Sequence, residues 1–275
     1  MKKVIIQGIA GSFHDIAVRE YFGDEVELVE CPTFKEQFER MKKDSTLLGM
    51  VAIENTVAGS ILPNYTLIRE SELKIVGELK MHISQNLVGL KGQKIEDIRS
   101  VESHPMALRQ TEDFISQYPK IKMVESADTA SSAKRIATKQ RPNVATVCGE
   151  LAAKIYGLEI LASNIETNKR NFTRFLVLEN QWSINEEELR KTADKASLVF
   201  SLPHKEGSLS QVLSILSFYD INLTKIQSLP VLGQEWQYMF YIDLAFNDYT
   251  RYVQSIDAIL PLTAELKILG EYKKN

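Results

Sequence analysis

The chain has 275 residues with a formal net charge of −3, 44% hydrophobic and 25% charged residues, 13 Gly and 8 Pro. At ~150 residues per domain such a length allows about two domains, and the apolar content excludes a disordered or fibrous chain. A pI of 5.9 argues against a nucleic-acid binder, no apolar run approaches the ~18 residues of a membrane span, and Val4-Ile5-Ile6 is too short for a signal-peptide core.

Residues 4–7 read as a buried strand, followed by the turn Gly8-Ile9-Ala10-Gly11 and a helix over 12–22. In that helix Ser12 and Asp15 stand three apart, like a capping box. A strand over 25–30 follows, then a helix with Thr33 as N-cap and Glu36 three residues on. A strand over 48–53 runs directly into Glu54-Asn55-Thr56. Strands are expected over 74–82 and 98–102. Ser103-His104-Pro105 opens a helix, with proline suited to the first turn. A strand over 122–125, a helix over 129–138 capped by Asp128, a strand over 144–147, a helix over 149–155 and a strand over 173–178 complete the pattern. Alternating strands and helices predict α/β sheets with crossover connections.

These elements form two groups, one over about 1–80 joined by the returning segment 161–182, the other over 81–160. Two α/β lobes around a cleft are expected. The polar clusters fall at strand C-terminal ends, where open α/β sheets bind ligands.

Residues 183–195 carry Glu186-Glu187-Glu188, Arg190, Lys191, Asp194 and Lys195, and read as a charged, partly helical connector. A new pattern then begins. Strands are expected over 196–202, 221–229, 236–245 and 264–269, with helices after Ser208 and over 250–260. The first of these helices shows Leu209, Val212, Leu213 and Leu216 at i, i+3, i+4 and i+7, an apolar stripe. The order βαββαβ over 196–275 is ferredoxin-like.

Several constellations have the composition of a ligand site. Gly8-x-x-Gly11-Ser12 puts backbone amides and a hydroxyl at a helix N-terminus, which serves equally as an anion cradle or as a tight connection. Asn55 and Thr56 offer an amide and a hydroxyl at a strand end, or form a turn and cap. Ser103-His104-Pro105 has the same ambiguity. Lys169, Arg170 and Arg174 concentrate positive charge around Asn171-Phe172-Thr173. Thr173 and Arg174 start an apolar strand, so their side chains should point to opposite faces. His14, His82, His104 and His204 show no metal-ligand spacing, nor do Cys31 and Cys148. Two cysteines make no disulfide scaffold, and a cytoplasmic protein is expected.

In order along the chain, these motifs resemble prephenate dehydratase. The family's glycine motif matches Gly8-Ile9-Ala10-Gly11-Ser12-Phe13, and its Glu-Asn-Ser-x-x-Gly motif matches Glu54-Asn55-Thr56-Val57-Ala58-Gly59 with Thr56 for Ser. Its Ser-His-Pro-Gln-Ala-Leu motif appears as Ser103-His104-Pro105-Met106-Ala107-Leu108. Its Ser-Thr-Ala-x-Ala-Ala motif appears as Asp128-Thr129-Ala130-Ser131-Ser132-Ala133. Asn-x-Thr-Arg-Phe is intact as Asn171-Phe172-Thr173-Arg174-Phe175. The C-terminal part resembles an ACT domain: Gly207-Ser208-Leu209 stands where the family has Gly-Ala-Leu, and Ile221-Asn222-Leu223-Thr224-Lys225-Ile226 matches the strand that follows. Gln227-Ser228-Leu229-Pro230 replaces the usual Glu-Ser-Arg-Pro.

The resemblance implies a two-lobed, periplasmic-binding-protein-like (type II) catalytic domain over 1–182. A linker over 183–195 and an ACT regulatory domain over 196–275 follow. It implies decarboxylative dehydration of prephenate to phenylpyruvate, with no cofactor or metal and with Thr173 as the catalytic residue. Ser12, Asn55, Thr56, Ser103, Thr129, Asn171, Arg174 and Phe175 are implied to bind substrate. Gly207, Ser208, Leu209, Asn222, Leu223, Thr224 and Ser228 are implied to bind L-phenylalanine as an allosteric effector. A homodimer or homotetramer is implied, with no nucleic-acid or membrane partner. The monofunctional form is expected, because 4–7 is already the first dehydratase strand and leaves no room for a chorismate mutase domain. Arogenate dehydratase and a non-catalytic amino-acid sensor are the competing readings.

Overall fold

The computed structural model describes residues 1–231 and 237–275. Strand β1 (Lys2–Gln7) buries Val4, Ile5 and Ile6 completely, as a strand covered on both faces must. Helix α1 (Phe13–Phe22) starts where the Ser12 hydroxyl accepts from the Asp15 amide at 3.3 Å and stops at Gly23, whose φ of 83° lies in the left-handed region. Next come β2 (Val26–Cys31), α2 (Phe34–Lys43), β3 (Leu48–Asn55), the short β4 (Gly59–Ser60), α3 (Leu62–Glu70) and β5 (Leu73–His82). At the predicted Thr33 cap, Oγ1 accepts from the Glu36 amide at 3.2 Å.

The chain continues through β6 (Asn86–Gly89), β7 (Ser100–Ser103), α4 (Pro105–Gln110), α5 (Glu112–Ile115) and β8 (Lys122–Glu125). Then follow α6 (Thr129–Lys139), β9 (Val144–Cys148), α7 (Glu150–Tyr156), β10 (Glu159–Ala162) and β11 (Phe172–Asn180). The connector contains helix α8 (Glu186–Thr192), opened by three acidic residues and closed by Arg190 and Lys191, the polarity a helix dipole favours. The last elements are β12 (Lys195–Ser201), α9 (Ser208–Phe218), β13 (Asn222–Pro230), β14 (Tyr238–Ala245), α10 (Tyr249–Ile259) and β15 (Glu265–Tyr272). Trp236, expected to begin the strand 236–245, lies outside the described residues.

Three sheets result, with strand orders β2-β1-β3-β11-β5 (β4 pairing with β3), β10-β6-β9-β7-β8 and β13-β14-β12-β15. The chain divides into two compact units. One comprises Met1–Met41, Leu47–Ile61 and Leu79–Phe175, the other Lys42–Thr46, Leu62–Glu78 and Leu176–Asn275.

In the first unit β1 pairs in parallel with β2 and β3, as crossover connections require. The second sheet departs from that expectation. β7 is parallel to β8 and β9, but β6 runs antiparallel to β9 and β10. Alternation along its strands builds two cores: Leu87, Ala145 and Val147 face Leu108 and Ile115 on one side, while Val88, Val144 and Cys148 face Ala133 and Ile136 on the other. A Cβ on Gly11, whose φ is 84°, would stand 2.8 Å from the Ala152 Cα, so only glycine lets this turn approach α7.

In the second unit β12, α9, β13, β14, α10 and β15 form the expected βαββαβ arrangement with an antiparallel sheet. The apolar stripe of α9 supplies Val212 and Leu216 to its core, with Leu209 and Leu213 partly buried beside them. Lys195 Nζ reaches both Glu78 oxygens, at 2.9 and 2.8 Å, in a buried ion pair.

Candidate active site

The first unit brings the end of β3 beside the start of β11. The Thr56 amide donates to the Phe172 carbonyl at 2.9 Å. The Thr56 hydroxyl donates to the Arg170 carbonyl at 2.7 Å and accepts from the Phe172 amide at 2.9 Å. This clamp fixes Asn55 against residues 171–173.

The orientation of the Asn55 amide is decided by its neighbours. Its Oδ1 accepts from the Val57 and Ala58 backbone amides at 2.9 and 2.8 Å, which leaves Nδ2 as the donor on the other side. Nδ2 donates to Asn171 Oδ1 at 2.7 Å and to Thr173 Oγ1 at 3.0 Å, with the Phe172 carbonyl at 3.2 Å. Asn171 is fully buried, and its Nδ2 donates to Gln110 Oε1 at 3.0 Å. Gln110 Oε1 also accepts from Gln85 Nε2 at 3.2 Å. Four side chains, Asn55, Asn171, Gln110 and Gln85, therefore hold the Thr173 hydroxyl through a chain of amides. Thr173 accepts from Asn55, while its own hydrogen has no acceptor among the described residues. The result is an oriented donor with its lone pair already engaged.

Strand alternation separates Thr173 from Arg174, as expected. Thr173 meets Asn55, whereas the buried Arg174 guanidinium donates to Glu54 Oε1 at 3.2 Å. Phe175 is buried and packs edge-on to His14 at 5.2 Å, with Phe34 on the same histidine at 5.5 Å. Burial lowers the His14 pKa to about 4, so the ring is neutral and accepts from the Ala52 amide at 3.3 Å.

The remaining candidates belong to separate hydrogen-bond networks. Ser12 caps α1. The Ala10 amide donates to Glu30 Oε1 at 2.7 Å and the Gly11 amide to Asp15 Oδ2 at 2.8 Å, so carboxylates of this chain occupy those amides of the glycine turn. The Tyr156 hydroxyl donates to the Ala10 carbonyl at 2.7 Å, and burial together with Glu30, Asp128 and Asp15 pushes its pKa up to about 12. Ser103 is buried and donates to the Val147 carbonyl at 2.7 Å. His104 caps α4, its Nδ1 accepting from the Met106 amide at 3.2 Å. Thr129 opens α6 behind Asp128, which accepts from the Ser131 amide at 2.6 Å. The Thr129 hydroxyl has no partner among the described residues.

In the second unit Gly207 precedes α9 with a φ of 79°. Ser208 donates to the Pro203 carbonyl at 3.0 Å, and Leu209 packs on the core. Asn222, Thr224 and Ser228 are exposed positions of β13, alternating with the half-buried Leu223 on this edge strand. Thr224 Oγ1 donates to the Asp243 carbonyl at 3.2 Å.

The cationic stretch around Asn171 is partly neutralised: Lys169 pairs with Glu166, and Arg174 with Glu54. Gln85, Gln110 and Glu54 complete the site's network although none is among the residues expected to form the site. Only Glu54, inside a quoted motif, carried a sequence signal.

A family model described as prephenate dehydratase matches residues 4–183. The bifunctional chorismate mutase/prephenate dehydratase of Buchnera aphidicola is 32% identical over 270 residues, covering 96% of this chain and 69% of that protein. Arogenate dehydratase/prephenate dehydratase 2 of Arabidopsis thaliana, a chloroplastic protein, is 35% identical over 283 residues, covering 98% and 72%. The crystal structure of prephenate dehydratase from Arthrobacter aurescens in complex with L-Phe superposes with a TM-score of 0.87 at 27% identity, covering 98% of this chain and 89% of that one.

Proposed function

The chain belongs to the prephenate dehydratase family, and we propose that it is a carbon–oxygen lyase converting prephenate to phenylpyruvate, CO2 and water at the Thr173 hydroxyl. The observation that carries this reading is the 3.0 Å hydrogen bond from Asn55 Nδ2 to Thr173 Oγ1, with the threonine hydrogen left free to donate.

In the reaction the carboxylate C–C bond breaks and releases CO2. Its electron pair completes the aromatic ring as the ring C–O bond breaks and hydroxide departs. Aromatisation drives the step, so the protein has chiefly to place the substrate and stabilise the departing oxygen. A threonine hydroxyl is too weak an acid to surrender its proton outright. Held at a fixed angle and polarised by Asn55, it donates a hydrogen bond that strengthens as negative charge develops on the leaving oxygen. The departing hydroxide is neutralised by one proton taken up from the buffered solvent, so that prephenate dianion and a proton give phenylpyruvate anion, CO2 and water. Asn55, Asn171 and Gln110 hold Thr173 in place, and Thr56 locks the two strand ends together. The Thr129 hydroxyl is the side-chain donor we assign to a substrate carboxylate, while Arg174, turned away from Thr173 and paired with Glu54, supports the strand. Ser12, Ser103 and Phe175 shape the surrounding backbone.

The proposal includes residues 1–182 as the catalytic part, 183–195 as linker and 196–275 as an ACT module binding L-phenylalanine near Gly207–Leu209, Asn222–Thr224 and Ser228. The L-Phe complex of the Arthrobacter relative supports that part. A homodimer or homotetramer and a cytoplasmic location belong to the same reading. Among the described residues no helix is long and apolar enough to cross a membrane. The Arabidopsis relative's name supports arogenate as an alternative substrate.

The test is steady-state formation of phenylpyruvate by wild type, Thr173→Val and Thr173→Ser, with folding checked by circular dichroism. Valine keeps the shape and removes the donor, so kcat should fall by about 10²–10³, with serine closer to wild type. A folded valine variant with wild-type kcat overturns the assignment. The same assay titrated with L-phenylalanine should show declining activity, and a flat response removes the effector from the proposal.

A further inference from the structure

Beyond the family motifs, α4 and α5 carry charged groups into a cleft of about 190 Å³ whose lining includes Arg109, Gln110, Glu112, Asp113, Asn168 and Asn171. Arg109 precedes Glu112 and Asp113 by three and four residues, the spacing at which helical ion pairs form. No pair forms. At Thr111, with φ −118° and ψ 11°, α4 ends and α5 begins, so the acids leave the helical positions that face Arg109. The Arg109 guanidinium and both carboxylates have no hydrogen-bond or ion-pair partner among the described residues.

The cleft therefore presents one cation and two anions, none neutralised by a neighbouring side chain. It also adjoins the catalytic network. Gln110 and Asn171 line it, and Asn171 accepts from the same Asn55 amide that holds Thr173. Asn171 and Thr173 are two residues apart on one chain segment, ~7 Å in extended backbone. A cyclohexadienyl ring with its leaving hydroxyl at Thr173 would direct the opposite, three-carbon arm toward such a cleft.

An α-amino acid group carries a carboxylate and an ammonium on one carbon, which matches a guanidinium facing two carboxylates. An α-keto acid offers the carboxylate alone, and the acid pair repels it. We propose that Arg109 is a further substrate-binding residue, anchoring the carboxylate of the substrate's arm. The Glu112–Asp113 pair biases selection toward the amino form, arogenate, over the keto form, prephenate. The proposal rests on the dehydratase reading and assigns residues outside its motifs.

The test measures kcat and KM for both substrates with wild type, Arg109→Gln and Glu112→Gln/Asp113→Asn. Removing a charge-assisted contact predicts a KM increase of about tenfold for both substrates in Arg109→Gln, with kcat nearly unchanged. In the acid variant the kcat/KM ratio of arogenate to prephenate should fall by about tenfold, because the ammonium loses its partners and the keto acid loses a repulsion. Unchanged KM values in Arg109→Gln, or an unchanged ratio in the acid variant, overturns the proposal. Wild-type enzyme inert toward both substrates overturns the dehydratase reading instead.

Discussion

Replacing Asn55 by aspartate reverses the hydrogen bond that orients Thr173. In the native site Nδ2 is a donor to Thr173 Oγ1 at 3.0 Å and to Asn171 Oδ1 at 2.7 Å. An aspartate oxygen at that place is an acceptor. The threonine hydrogen swings toward it, forming a charge-assisted bond of about 1.5–3 kcal/mol that the leaving oxygen of the substrate must displace. That range is a loss of roughly 10- to 150-fold in kcat. Asn55→Ala removes the orienting donor but leaves the threonine hydrogen free. Its cost through Thr173 is that of one neutral hydrogen bond, about 0.5–1.5 kcal/mol, or roughly 2- to 12-fold. The isosteric aspartate should therefore be the slower enzyme, the reverse of what side-chain volume predicts. Phenylpyruvate formation at saturating prephenate, on variants shown to be folded, measures both. Aspartate as fast as alanine, or close to wild type, would refute a free threonine donor as the source of catalysis.

Two other outcomes concern stability. Lys195→Met strips the buried Glu78 carboxylate of the ammonium at 2.8 Å and should cost about 3–5 kcal/mol, a loss of about 10 °C in melting temperature. The Glu78→Leu/Lys195→Met double variant should recover most of it in calorimetry, and strictly additive losses would contradict a coupled pair. His14 has a folded pKa of about 4 against an ordinary 6.5. The unfolded chain therefore takes up a proton that the folded chain refuses, and stability falls as pH drops from 6.5 toward 4. Between pH 7 and pH 5 the loss is about 2 kcal/mol. Urea midpoints at the two pH values should differ less in His14→Phe, by this amount, than in wild type.

Local features of this protein were legible because local chemistry decides them. Ser12, Thr33 and Asp128 cap their helices by bonding amides three residues on. The α9 stripe is buried because its spacing matches the helical repeat. β6 and β10 had no such signal: they are four residues each and pair antiparallel with one another, although some 70 residues separate them. In the glycine turn the sequence shows amides and a hydroxyl at a helix N-terminus but not what fills them. Glu30 and Asp15 occupy two of them, and the first stands 20 residues from the amide it accepts from.

The sequence by itself determined which residue types stand at the strand ends, that Thr173 and Arg174 diverge, and that a βαββαβ module follows a charged connector. Only the tertiary structure decided how the Thr173 hydroxyl is aimed. Its partner Asn55 is 118 residues away and is brought there by two strands adjacent in the first sheet. Which strands lie side by side, and in what register, is set by burial of their apolar faces, a property of the whole sheet that no short window of sequence contains.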